Sequence, residues 1–142
     1  MQEQPIPAEI LATVSSFLRN TAVPRLDGHA SFMARVAANA VDLVRRDLEL
    51  RPASDDAESQ RLGGLLGHGG SLEALNAELA ERIRDDRIGV DSPELLEHLW
   101  QTTLAKVAID QPNYASYRAA LQWTDVASSS TAAANGDEES TA

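Results

Sequence analysis

The side chains of this 142-residue chain that could do chemistry are three histidines, one lysine, eleven arginines and 22 carboxylates. His29, His68 and His98 have no His or Cys partner at helical spacing. Glu94 and Glu97 flank His98 and could form a weak metal site, but catalytic zinc normally takes three protein ligands with imidazole dominant. A solvated helix face is the plainer explanation of those three residues. The run 63–70, Gly-Gly-Leu-Leu-Gly-His-Gly-Gly, has the glycines of a phosphate loop. A phosphate loop also needs a Gly-Lys-Ser/Thr ending and a preceding strand; here Ser71 follows without a lysine and no strand precedes, so the run is read as a linker between helices. There is no Cys and no G-x-S-x-G elbow. No carboxylate pair stands out for general acid–base work. No catalytic residue, metal or cofactor is therefore expected.

Two polar clusters on apolar helices are better candidates for contact with a partner or ligand. Arg35 and Asn39 stand at i and i+4, and Asp42 and Arg46 continue the row. A ladder of surface ion pairs would account for the row, at about 0.2–0.5 kcal/mol per pair. Asn39 is a poor mid-helix residue, which favours a specific contact. The second cluster is Lys106, the only lysine, with Asp110 four residues on and Tyr114 just after the Asp110-Gln111-Pro112 turn. Asp110 could equally cap the following helix or pair with Lys106.

Six helical segments could carry these residues. The first runs from Pro7, suited to a first turn, and should end before Pro24. Ile10, Leu11, Val14, Phe17 and Leu18 recur along it at helical spacing. The second, Ala30 to about Leu50, carries Met33, Val36, Ala37, Ala40, Val41, Val44 and Leu48 as an apolar stripe expected to face the core. Its small residues, Ala34, Ala37, Ala38 and Ala40, would admit a close neighbour, so it should be the central helix. Arg51-Pro52 should stop it. A third, shorter helix would start near Asp55, with Glu58 completing a capping box, and would weaken at Gly63 and Gly64. Ser71 should cap a fourth with Leu72, Leu75, Leu79 and Ile83 on one face. Ser92-Pro93-Glu94 should start a fifth that ends at Pro112, and a sixth is expected from Asn113 to about Trp123. No stretch alternates in the manner of a strand.

The composition fits an all-α, single-domain bundle of five or six helices. Hydrophobic residues make up 43% of the chain but aromatics only 4%. The helical domain is placed at 7–124. Residues 125–142 are rich in Ser, Thr, Ala and acids, have no large apolar side chain after Val126, and are expected to form a disordered tail. Four of the 22 acids fall in that tail, so the body still holds 18 acids against 12 bases. A net charge of −10 argues against a nucleic-acid partner. No apolar run approaches the roughly 18 residues of a membrane span. Met1 to Pro7 lacks the pattern of a secretory leader, and a cytoplasmic location is the expectation.

Two stretches carry a family resemblance. They are Phe32-Met33-Ala34-Arg35-Val36-Ala37-Ala38-Asn39-Ala40, and Leu104-Ala105-Lys106-Val107-Ala108-Ile109-Asp110-Gln111-Pro112-Asn113-Tyr114 with Ser116-Tyr117-Arg118 beyond. With Leu18-Arg19 and the Leu72 to Ile88 segment, they resemble a small bacterial family encoded beside aminoglycoside-phosphotransferase-like kinases and acyl-CoA dehydrogenases. That family is similar to the accessory subunit of the hydroxyacyl-CoA kinase of levulinate catabolism. The resemblance spans roughly Pro7 to Trp123. It implies a non-catalytic accessory subunit for a kinase that phosphorylates a hydroxyacyl-CoA, with an acyl-CoA dehydrogenase as a further partner. Arg35, Asn39, Lys106, Asp110 and Tyr114 lie in the matching stretches and are the candidates for partner or ligand contact. The alternative is a helical small-ligand-binding or homo-oligomeric module without a kinase. An accessory subunit should present an exposed apolar patch; a binding module should present a pocket with converging polar groups.

Overall fold

The structure is a computed structural model and describes residues 5–123. The regular structure in that span is helical throughout. Helix α1, Pro7–Phe17, is prolonged by a π-helical turn, Leu18–Ala22, and a 3-10 turn, Val23–Arg25. Then come α2, Gly28–Leu66, α3, Leu72–Arg84, α4, Pro93–Asp110, and α5 at 115–123. The fold is all-α, as expected. The acidic segment 125–142 lies outside the described residues.

Local signals account for most helix ends. Pro7 occupies the first turn of α1, and the Glu9 carboxylate accepts from the Ile6 N–H at 3.1 Å. Ser71 Oγ accepts from the Ala74 N–H at 3.2 Å, and Ser92 Oγ accepts from the Leu95 N–H at 3.3 Å, so both serines cap as expected. Gly67 closes α2 with φ +84°, a left-handed conformation that costs glycine little, and its N–H donates to the Gly63 carbonyl at 2.9 Å. Pro24 does not end the first helix in advance. It sits in the first turn of the 3-10 segment, where the missing N–H has no helical partner to lose.

The main departure is at Pro52. The two helices expected on either side of it are one helix of 39 residues, about 58 Å long. Asp55 is therefore an interior residue and not a cap. Tertiary packing overrides the proline because α4 braces α2 on both sides of it. Arg46 Nε donates to the Ile109 carbonyl at 2.7 Å before the proline, and Arg61 donates to Thr102 Oγ1 at 3.3 Å after it. The i,i+4 pairs Arg45–Glu49 and Arg51–Asp47 add support on the exposed face.

As the spine of the fold, α2 packs against α1 with its first half and against α3 and α4 further along. The core lies at the second end. Leu62, Leu66, Leu75, Leu79 and Leu95 are buried together, with Leu72, Ile83 and Ile88 packed against them. Full burial of each leucine is worth about 1.5–3 kcal/mol. The first end is a two-helix hairpin. Its buried residues are small: Ser15, Ser31, Ala34 and Ala38. The alanines allow α1 to approach closely, as expected of a small-residue face.

The apolar stripe of α2 does not face this core. Met33, Val36, Val44 and Leu48 are exposed, and so are Ile10, Val14 and Phe17 of α1. Ser31, Ala34 and Ala38 recur at helical spacing and define the buried side of α2; Phe32, Val36 and Leu43 lie on the opposite side. The hairpin is too thin to bury both faces, so the bulkier one is left outward.

Candidate functional site

Three of the five candidate residues come together. Asn39 from α2, with Asp110 and Tyr114 from the α4–α5 turn, line one cleft of about 700 Å³. Arg19, from the π-helical turn, crosses to its wall. Its guanidinium donates to Asn39 Oδ1 at 2.8 Å and to Asp42 Oδ2 at 2.5 Å. Asn39 thus has the specific contact that its poor helix propensity called for. Burial raises the Asp42 carboxyl pKa, but hydrogen bonds from Ser15 and Arg19 and the charges of Arg19 and Arg45 outweigh it and hold the pKa below its ordinary value. Arg46 also lines the cleft and is tied to the Ile109 carbonyl.

The other two candidates lie apart. Arg35 is exposed and reaches back to Ser31 Oγ, at 3.4 Å. Lys106 lines a smaller depression of about 210 Å³ with Arg51, Asp55 and Asp110. Asp110 borders both hollows. The direct Lys106–Asp110 ion pair considered from the sequence does not form in this structure.

Val36 and Leu43 belong both to this cleft and to the exposed apolar face of α2. Exposed apolar side chains of α2 therefore adjoin a polar lining of Arg19, Asn39, Asp42, Asp110 and the half-exposed Tyr114. Such an arrangement is typical of protein–protein interfaces.

A second cleft, of about 650 Å³, lies at the core end and was not foreseen. His98 lines it. The ring is 2% exposed, where the flanking glutamates had suggested a solvated position. The overlooked signal was its register with Leu95, Thr102 and Ile109, which places it on the inward side of α4. Among the described residues neither His98 Nδ1 nor Arg61 Nε has a hydrogen-bond partner, although both atoms are buried. An unsatisfied buried group of this kind costs about 1–3 kcal/mol. Burial first, then the charges of Arg61 and Lys106, lower the His98 pKa against the opposing effect of Glu58, so the ring is neutral at pH 7. The described residues contain no group of three or more His, Cys, Asp or Glu side chains placed to hold a metal ion. No helix among them is long and apolar enough to cross a membrane.

Comparison with known families is informative at one level. The profile of DUF6285, a domain of unknown function, matches residues 24–114. The chain belongs to this family. The matched region takes in α2, α3, α4 and the turn to Tyr114, including both stretches that carried the resemblance and every candidate residue. No curated protein matches the chain. No solved structure matches it either.

Proposed function

We propose that this member of the DUF6285 family is an accessory, non-catalytic subunit of an aminoglycoside-phosphotransferase-like kinase that acts on hydroxyacyl-CoA-type substrates. It works in the cytoplasm, with an acyl-CoA dehydrogenase as a second associate. The observation that carries this reading is the outward apolar face of the α1–α2 hairpin. Ile10, Val14 and Phe17 on one helix, and Phe32, Met33, Val36, Leu43 and Val44 on the other, are all exposed by more than a third. The five on α2, at about half exposure, present on the order of 450 Å², roughly half of one partner's share of a standard interface. Apolar patches of that size on a single chain are often functional. The Asn39–Asp110–Tyr114 cleft gives that surface a polar edge able to set register.

The test is co-expression of the C-terminally tagged chain with an aminoglycoside-phosphotransferase-like kinase of the same organism, followed by affinity capture and gel filtration. The expected result is a stoichiometric complex that Val36→Asp with Leu43→Asp disrupts and Asp110→Ala weakens, with circular dichroism unchanged. If the chain elutes alone beside a well-folded kinase, the proposal fails. A homodimer that persists without kinase and is broken by the same double substitution would favour the homo-oligomeric alternative.

A further inference from the structure

The second cleft has no part in the partner surface, and its chemistry can be read independently. We propose that the cleft between the second half of α2 and the start of α4 binds a small monocarboxylate with a short apolar chain, the carboxylate seated on Arg61 and His98.

Four observations point to this ligand class. First, two buried polar atoms on residues that line the cleft are orphaned. His98 is 98% buried, with Nδ1 unpartnered, and Arg61 Nε is buried without an acceptor. A guanidinium N–H requires an acceptor, and a carboxylate oxygen supplies the strongest common one. Second, Arg61 is a half-buried cation without an ion pair among the described residues. Its hydrogen bond to Thr102 Oγ1, at 3.3 Å, is its only one among the described residues. In contrast, Arg87 on the same cleft is engaged by Asp85 at 3.0 Å. Third, Leu65 and Ile88 also line the hollow and offer apolar walls to a hydrocarbon chain. Fourth, Glu94 and Glu97 stand on the lining. Their carboxylates oppose any anion there, a multiply charged phosphate more than a single carboxylate, so only a singly charged ligand fits.

Gly64 supports the same conclusion. It lies inside α2, where glycine is a poor helix former. A Cβ added there would meet no atom within 4 Å, so packing does not require the glycine. Gly64 lines the cleft, and its missing side chain is part of the open volume. His98 is held neutral by its surroundings, so its N–H can donate to a ligand oxygen without adding a further buried charge.

The experiment is a titration of the full chain with hexanoate, followed by amide NMR. Hexanamide and inorganic phosphate serve as controls. Hexanoate should give saturable shifts at Gly64, Gly89 and His98, and both controls should bind at least about tenfold more weakly. Arg61→Met should weaken hexanoate by about tenfold or more. Gly64→Leu should abolish binding while the chain melts no lower than the parent, which separates loss of the site from loss of the fold. The proposal is overturned if hexanoate gives no saturable shifts at these residues, if binding survives Gly64→Leu, or if phosphate binds as tightly. None of these readouts involves the kinase, so the result stands apart from the subunit proposal.

Discussion

Replacing Pro52 with alanine should stabilise this chain. In the continuous helix, proline at position 52 supplies no N–H to the Leu48 carbonyl, and its ring crowds that carbonyl. An interior helix proline costs about 3 kcal/mol. Alanine forfeits the restriction that proline places on the unfolded chain, which returns about 0.4–1 kcal/mol to the unfolded state. The net gain is about 2 kcal/mol, or a rise in melting temperature of about 8 °C for a domain of this size. Thermal melts followed by circular dichroism would measure it. Asp55→Ala is the companion variant. As an N-cap, Asp55 would be worth about 1 kcal/mol; as an interior residue its loss should change stability by less than about 0.5 kcal/mol. A lower melting temperature for Pro52→Ala together with a clear loss for Asp55→Ala would refute the single helix and restore two helices meeting at the proline.

Three further outcomes are expected. Arg46→Met should cost about 1.5–3 kcal/mol in chemical denaturation, because it leaves the carbonyl of buried Ile109 without its charged donor. Leu62→Ala should cost about 2–5 kcal/mol, since Leu62 is fully buried at the centre of the leucine cluster. The two histidines with shifted pKa values should act in opposite directions on stability against pH. His98 has its pKa lowered from 6.5, so the unfolded chain binds more protons below that value. Its contribution is present above pH 6.5 and is lost as pH falls through the lowered pKa. His68 has its pKa raised, first by its hydrogen bond with the Gly69 carbonyl and then by Glu78. Its contribution is present below pH 6.5 and is lost as pH rises through the raised pKa. Denaturation midpoints across this range should show His98→Asn removing the acid-side loss and His68→Asn removing the loss on the alkaline side.

Local signals in the sequence identified most of the helices. Pro7, Ser71 and Ser92-Pro93-Glu94 mark starts because each satisfies or omits first-turn N–H groups within a few residues of chain. The break expected at Pro52 was an error of the same local logic. The Arg46 and Arg61 bridges to α4 come from residues 63 and 41 positions away, and no window around the proline contains them. Periodicity also identified the stripe Met33–Val36–Val44–Leu48 without revealing which way it points. Ser31, Ala34 and Ala38 won the buried side because α1 approaches closely only over small side chains. At the candidate site, Asn39, Asp110 and Tyr114 meet through the fold, whereas Arg35 and Lys106 share their sequence stretches but not their cleft. His98 was hidden by its acidic neighbours, since Glu94 and Glu97 are exposed while His98, on the same cleft, is buried.

Sharing one 39-residue helix between a leucine core and a thin hairpin divides the free energy of opening unequally along the chain. The hairpin excludes little hydrocarbon from water, so its amides can exchange through local separation of α1 while the leucine cluster remains closed. Any molecule seated on the outer face of α2 and against Arg19, which follows α1, binds only the closed hairpin and raises its protection by mass action. Occupancy of that face is therefore recorded in the exchange rates of α1 and the start of α2, and the amides around Leu62, Leu75 and Leu95 serve as an internal reference that does not respond.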